Sequence, residues 1–125
     1  MLRRLSRLGL LLVCAGATVL ALAAQNASAV PADILPLQDV KAGMTGVGKT
    51  VFRGNQIQEF QVKILGVVHN MGPKQAVILA RLSGGPLAQT GVLEGMSGSP
   101  VYIDGKLVGA VALGFPYAKT AIAGI

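Results

Sequence analysis

The chain carries one cysteine and one histidine in 125 residues, and its charges do not cluster. Each shortage excludes a class of chemistry. Cys14 lies within an apolar N-terminal run, so once that run is removed no disulfide and no thiolate nucleophile is left. One histidine with no cysteine leaves a zinc site almost without ligands, and no metal or cofactor is expected. The formal charge of +6 owes much to the N-terminus. Residues 30–125 hold eight basic side chains against five acids, a net +3 spread along the chain. That dispersion gives no footprint for nucleic acid. Long helical apolar stripes, internal repeats and low-complexity tails are also missing.

What is present begins with a three-part N-terminus. Arg3, Arg4 and Arg7 precede a run from Leu8 to Ala24 without a charge. Ala27 and Ala29 then form an A-x-A pattern. A basic start, an apolar middle and a small-residue end describe a helical secretory signal peptide over residues 1–29, cleaved after Ala29. The protein is therefore expected to be exported, to the periplasm or beyond the cell, and to meet the membrane only in transit. The competing reading is an uncleaved anchor at residues 8–24, a run at the short edge of the roughly 17–25 residues that span a bilayer. Arg3-Arg4 lacks the flanking pattern of a twin-arginine signal. Val13, before Cys14, is not the small residue that lipid attachment prefers.

Residues 30–125 read as one β-domain. In "EFQVKILGVV", Phe60, Val62 and Ile64 alternate with Gln61 and Lys63, the period of a half-buried strand. "QAVILARL", from Gln75 to Leu82, is a second strand rich in branched residues. "HNMGPK" between them and "SGGP" at Ser83–Pro86 read as turns. "VYIDGKLVGAVAL" holds an Asp104-Gly105 hairpin signal between two apolar strands. Short strands with turns every ~8–12 residues predict an all-β barrel or sandwich.

"GMTGVGKT", Gly43–Thr50, fits the phosphate-loop pattern G-x-x-x-x-G-K-[ST] letter by letter. Such a loop needs a buried strand before it and a helix after it, whose N-terminal amides hold the anion. Here "DILPLQDVKA" precedes it, broken by proline and polar residues. "VFRGNQIQEFQV" follows, with Gly54-Asn55 as a turn. No later strand ends in an aspartate for magnesium. The stretch reads instead as scaffold: glycines at bends, an exposed Lys49, and a strand starting near Val51. No nucleotide partner is expected.

The second glycine-rich stretch is "GMSGSP", Gly95–Pro100, followed at once by strand, hairpin and a second strand containing Gly109. This arrangement resembles the nucleophile region of chymotrypsin-like serine peptidases. Together with "VKAGMTGVGKTVFRGNQIQEFQVKILGVV" and "LARLSGGPLAQTGVLEGMSGSPVYIDGKLVGAV", it resembles the peptidase family of sporulation stage IV protein B, and its secreted bacterial relatives in particular. The resemblance covers residues 35–125 or so. It implies a serine endopeptidase acting on polypeptide, on a chymotrypsin-like β-barrel scaffold. By it, Ser97 is the nucleophile and the backbone amides of Gly95 and Ser97 form the oxyanion hole. Preorganised N–H donors are what the developing oxyanion requires. Gly98 and Pro100 shape the loop, and Ser99 is structural.

The resemblance does not extend to the base. In the family the catalytic histidine sits in a Leu-Gly-His stretch, which does not occur here. His69, 28 residues before Ser97 in what reads as a strand-end turn, is the one candidate base in the chain. The family's acid falls near Ser83, where this chain has no aspartate. Glu94, beside the turn, is the only acid between His69 and Ser97. The 96 residues after the signal are enough for about one barrel, and a chymotrypsin-like site lies between two. With the apolar end "AIAGI", the chain reads as the N-terminal part of a longer protein, an incomplete half of such a peptidase. "GFPYAKT" after the last strand is placed to line a specificity pocket. The rival reading is a non-catalytic exported β-domain that binds peptides or a protein partner.

Overall fold

The computed structural model describes residues 33–125. The expected signal peptide and its expected cleavage site lie outside them. The described chain is all-β, with seven strands and little helix. They are β1 (Thr45–Thr50), β2 (Gln58–Gly72), β3 (Gln75–Ser83), β4 (Pro100–Ile103), β5 (Lys106–Ala110), β6 (Leu113–Gly114) and β7 (Ile122–Gly124). One short helix, α1 (Leu87–Thr90), follows β3. The strands form one sheet in the order β5-β4-β1-β2-β3-β7-β6. Every neighbouring pair is antiparallel.

The alternation in β2 does what its sequence dictates. Phe60, Val62 and Ile64 are buried, while Gln61 and Lys63 face solvent. Ile78, Ala80 and Leu82 of β3 and Val101 and Ile103 of β4 join the same core. The Asp104-Gly105 hairpin also forms. Both residues have positive φ, 50° and 76°, and Ile103 pairs with Lys106 across them. This is the two-residue turn whose twist suits antiparallel strands.

The sheet is open in its hydrogen-bonding order, yet it is curled. Its outermost strands, β5 and β6, are separated in sequence only by Val111 and Ala112. Seven flat strands would set the outer two roughly 29 Å apart, at about 4.8 Å per spacing. Three Cα steps cover at most about 11 Å. Val111 resolves the conflict by continuing the β4 hairpin: its N–H donates to Ser99 O at 2.9 Å, and its own carbonyl accepts from Gly98 N–H at 2.7 Å. One residue on, Ala112 N–H donates to Gly124 O at 2.9 Å, on the β7 side. Lys106–Gly114 thus runs as one bent segment through both outermost strands and draws them together around the core.

Two local expectations are corrected. "HNMGPK" is not a turn as a whole. β2 continues through His69 to Gly72, and only Pro73 and Lys74 make the bend. Lys74 takes a positive φ of 58° there. The second concerns "GMTGVGKT". The strand does not start near Val51; it is Thr45–Thr50 itself. Gly46 and Gly48 sit inside it rather than at bends. Only Gly43, φ 89°, occupies a turn. The residues after Thr50 form bends and a turn, not a helix.

Candidate active site

The segment between α1 and β4 builds the site. Leu93 enters in extended conformation, and Glu94–Met96 make a single 3₁₀ turn. Met96, 1% exposed, pins that turn to the core. Ser97 leaves it extended, at φ −56° and ψ 130°, with its side chain on the exposed surface. Gly98 then takes φ +85°, where a side chain is strained, and turns the chain into β4. A Cβ on Gly95 would meet nothing within 4 Å. The glycine this turn requires is therefore Gly98.

Backbone hydrogen bonds hold the turn to itself and to Val111. Ser97 N–H donates to Glu94 O at 3.1 Å and Ser99 N–H to Met96 O at 2.9 Å. Gly98 and Ser99 exchange the two bonds with Val111 already described. Ser99 is buried, and its Oγ donates to Thr50 Oγ1 at 2.8 Å. The amide of Ser97, expected to face an oxyanion, is thus engaged by the carbonyl of Glu94 in this structure.

Ser97 opens onto a cleft of about 700 Å³. One wall is Leu87–Glu94, comprising α1 and the irregular segment entering the turn; the other is Val111–Ala121. "GFPYAKT" therefore lines the cavity that Ser97 faces, with Tyr117 fully exposed and Phe115 41% exposed. The charged side chains on its walls are those of Glu94 and Lys119. No histidine lines it.

His69 is elsewhere. It lies on β2 opposite Ala76, exposed, toward the tip of the β2–β3 hairpin. β1 pairs with β2 only up to Lys63, and β7 pairs with β3 only over Leu79–Arg81, so this tip extends beyond both neighbouring ladders. A base must come within hydrogen-bonding reach of its nucleophile, directly or through one water. The structure does not bring His69 into the Ser97 cleft. Ser83, where the family's acid falls, ends β3 opposite Gln61 and is also absent from the cleft walls.

The turn, its hairpin and the bent segment behind it lie within the residues matched by one known family. The family model described as SpoIVB peptidase S55 aligns with residues 15–121. The chain belongs to this family. The match enters at residue 15, inside the segment read as a signal peptide, and runs through the whole cleft. No curated protein and no solved structure shows significant similarity to the chain. Membership in SpoIVB peptidase S55 makes this a peptidase-family domain, and a peptidase family implies a polypeptide substrate.

Sequence reasoning missed three features of the site. α1 has only four residues, too short for a periodic signal. β6 and β7, at two and three residues, are likewise invisible to alternation. The Thr50–Ser99 bond joins positions 49 residues apart, which no local pattern encodes.

Proposed function

We propose that the chain is the nucleophile-bearing domain of an exported serine endopeptidase, a chymotrypsin-like half-barrel in which Ser97 forms an acyl-enzyme. The observation that carries this reading is the position of Ser97: exposed at a tight turn and among the residues that line a cleft of about 700 Å³. Ser97 Oγ attacks the scissile carbonyl. The new O–C bond pushes the carbonyl electrons onto oxygen, and the amides of Gly95 and Ser97 receive that oxyanion. A base supplied from outside residues 33–125 takes the Ser97 proton and gives it to the amine as collapse breaks the peptide C–N bond. Water, deprotonated by the same base, then hydrolyses the ester and the Ser97 hydroxyl is restored. For Ser97 N–H to serve, it must exchange its bond to Glu94 O for one to substrate.

The base is the missing part. With no histidine lining the cleft and His69 on the β2–β3 hairpin, the isolated chain is expected to hydrolyse peptides weakly or not at all. The histidine and acid are to be supplied from outside residues 33–125. Fluorophosphonate labelling of the full-length protein tests the reading. Labelling that disappears in Ser97→Ala supports it; absence of labelling with all parts present sinks it.

A second reading is favoured by one observation, the engagement of Ser97 N–H by Glu94 O. A domain that keeps this turn closed would hold peptides in the cleft without cleaving them. Peptide binding by a full-length protein that never labels would select this alternative.

A further inference from the structure

β1 and β4 share only a short ladder, Val47 opposite Tyr102 and Gly48 opposite Val101. Continued in the same register, the next rung sets Lys49 opposite Pro100, and the one after sets Thr50 opposite Ser99. Pro100 has no N–H to offer, so the backbone ladder cannot continue through it. At the following rung the side chains take over: Ser99 Oγ donates to Thr50 Oγ1 at 2.8 Å. Thr50 and Ser99 are also the two buried polar residues among those described, 5% and 7% exposed.

The remaining hydrogen bonds of the turn run back into the turn itself or to Val111. Among the described residues, this side-chain pair is the hydrogen bond that ties the turn to β1. Ser99 lies two residues beyond Ser97, with the strained Gly98 between them. We infer that Thr50 is a positioning residue for the nucleophile turn: its hydroxyl replaces the rung that Pro100 removes and fixes where Ser97 presents its Oγ. The inference rests on the reading of Ser97 as nucleophile. It also gives the last letter of "GMTGVGKT" a task, one that involves no phosphate.

Two measurements on the full chain test it. Thr50→Val keeps the branched shape and deletes the hydroxyl, leaving Ser99 Oγ buried without its acceptor. Loss of one net hydrogen bond is expected to raise amide exchange at Gly98 and Ser99 about tenfold, with the amides of β2 and β3 unchanged. Ser99→Ala breaks the same bond from the other side and should loosen the same amides, the double variant adding little. Thr50→Ser should restore protection. Exchange at the turn unchanged in both single variants overturns the inference, as does loosening spread evenly over the whole sheet. In the second measurement, the fluorophosphonate labelling rate of Ser97 should fall about tenfold in Thr50→Val and recover in Thr50→Ser. Undiminished labelling in Thr50→Val also overturns it. A wild type that never labels, but whose turn loosens in Thr50→Val, defeats the peptidase reading and leaves the clamp supported.

Discussion

Gly48 on β1 stands directly opposite Phe60 on β2, and the Phe60 ring fills the space that a Cβ at position 48 would need. Phe60 is fully buried at the centre of the core. The glycine is thus required by a neighbour across the sheet, not by a phosphate. Gly48→Ala should force the ring off its rotamer and destabilise the domain by about 1–3 kcal/mol, the usual range for overpacking. Lys49→Ala, on the exposed face one residue on, should change stability by less than about 0.5 kcal/mol. Urea denaturation of the two variants checks the contrast. Equal, small effects would remove the packing explanation for the glycine pattern.

The β4–β5 hairpin depends on two positive φ values, 50° at Asp104 and 76° at Gly105. Gly105→Ala places a Cβ in the left-handed region and should cost about 1–2 kcal/mol. Asp104→Asn preserves a residue that tolerates this region and should be nearly neutral. Because β5 leads into the bent segment that carries Val111, the loss should also weaken protection of the Gly98 amide, bonded to Val111 O at 2.7 Å. Thermal unfolding with amide exchange reads both effects.

Legibility followed the range of the interaction. The strand character of β2 and β3, the β4–β5 turn and the position of the "GMSGSP" turn are written in neighbouring residues, and each was readable. What sequence could not supply is which edges meet. Val111 and Ala112 look like two ordinary apolar residues in "GAVAL". Their importance, handing the chain from the β4 edge to the β7 edge, exists only once both edges are present. The same holds for Gly46 and Gly48. Glycine usually signals a bend, and here a facing backbone carbonyl at Tyr102 and a facing ring at Phe60 set a different requirement. His69 was misplaced because Asn70, Gly72 and Pro73 resemble a loop, whereas the ladder persists to a pairing of Gly72 with Gln75.

His69 offers a direct check on where the base resides. It lies on the protruding hairpin and not among the residues that line the Ser97 cleft. His69→Ala in the full-length protein should therefore label with fluorophosphonate at the wild-type rate, and its stability should shift by less than about 0.5 kcal/mol, as for an exposed residue. A loss of labelling by orders of magnitude, restored by no other change, would mean that the hairpin folds over the cleft in the active protein.

The N-terminus can be tested by mass. Residues 1–29 carry the tripartite pattern of a secretory signal, with Ala27 and Ala29 at the expected cleavage site. Expression in a secretion-competent bacterium should yield a mature chain beginning at Val30. A chain that keeps residues 8–24 and stays with the membrane fraction would favour the anchor reading, and Ala29→Leu should convert the first outcome into the second.

The adjacent pair Met96 and Ser97 separates scaffold from chemistry within one turn. Met96 is 1% exposed and belongs to the core cluster, while Ser97 faces solvent. Met96→Ala removes buried atoms and leaves a cavity, so it should cost about 2–5 kcal/mol. Ser97→Ala removes an exposed hydroxyl and should shift stability by less than about 0.5 kcal/mol, while abolishing fluorophosphonate labelling of the full-length protein. Met96→Leu, close in volume, should keep most of both properties. The pattern that matters is the crossing: stability lost with the methionine, labelling lost with the serine. If Ser97→Ala instead destabilised the domain as much as Met96→Ala, the hydroxyl would be part of the packing, and its role as a nucleophile would lose its structural basis.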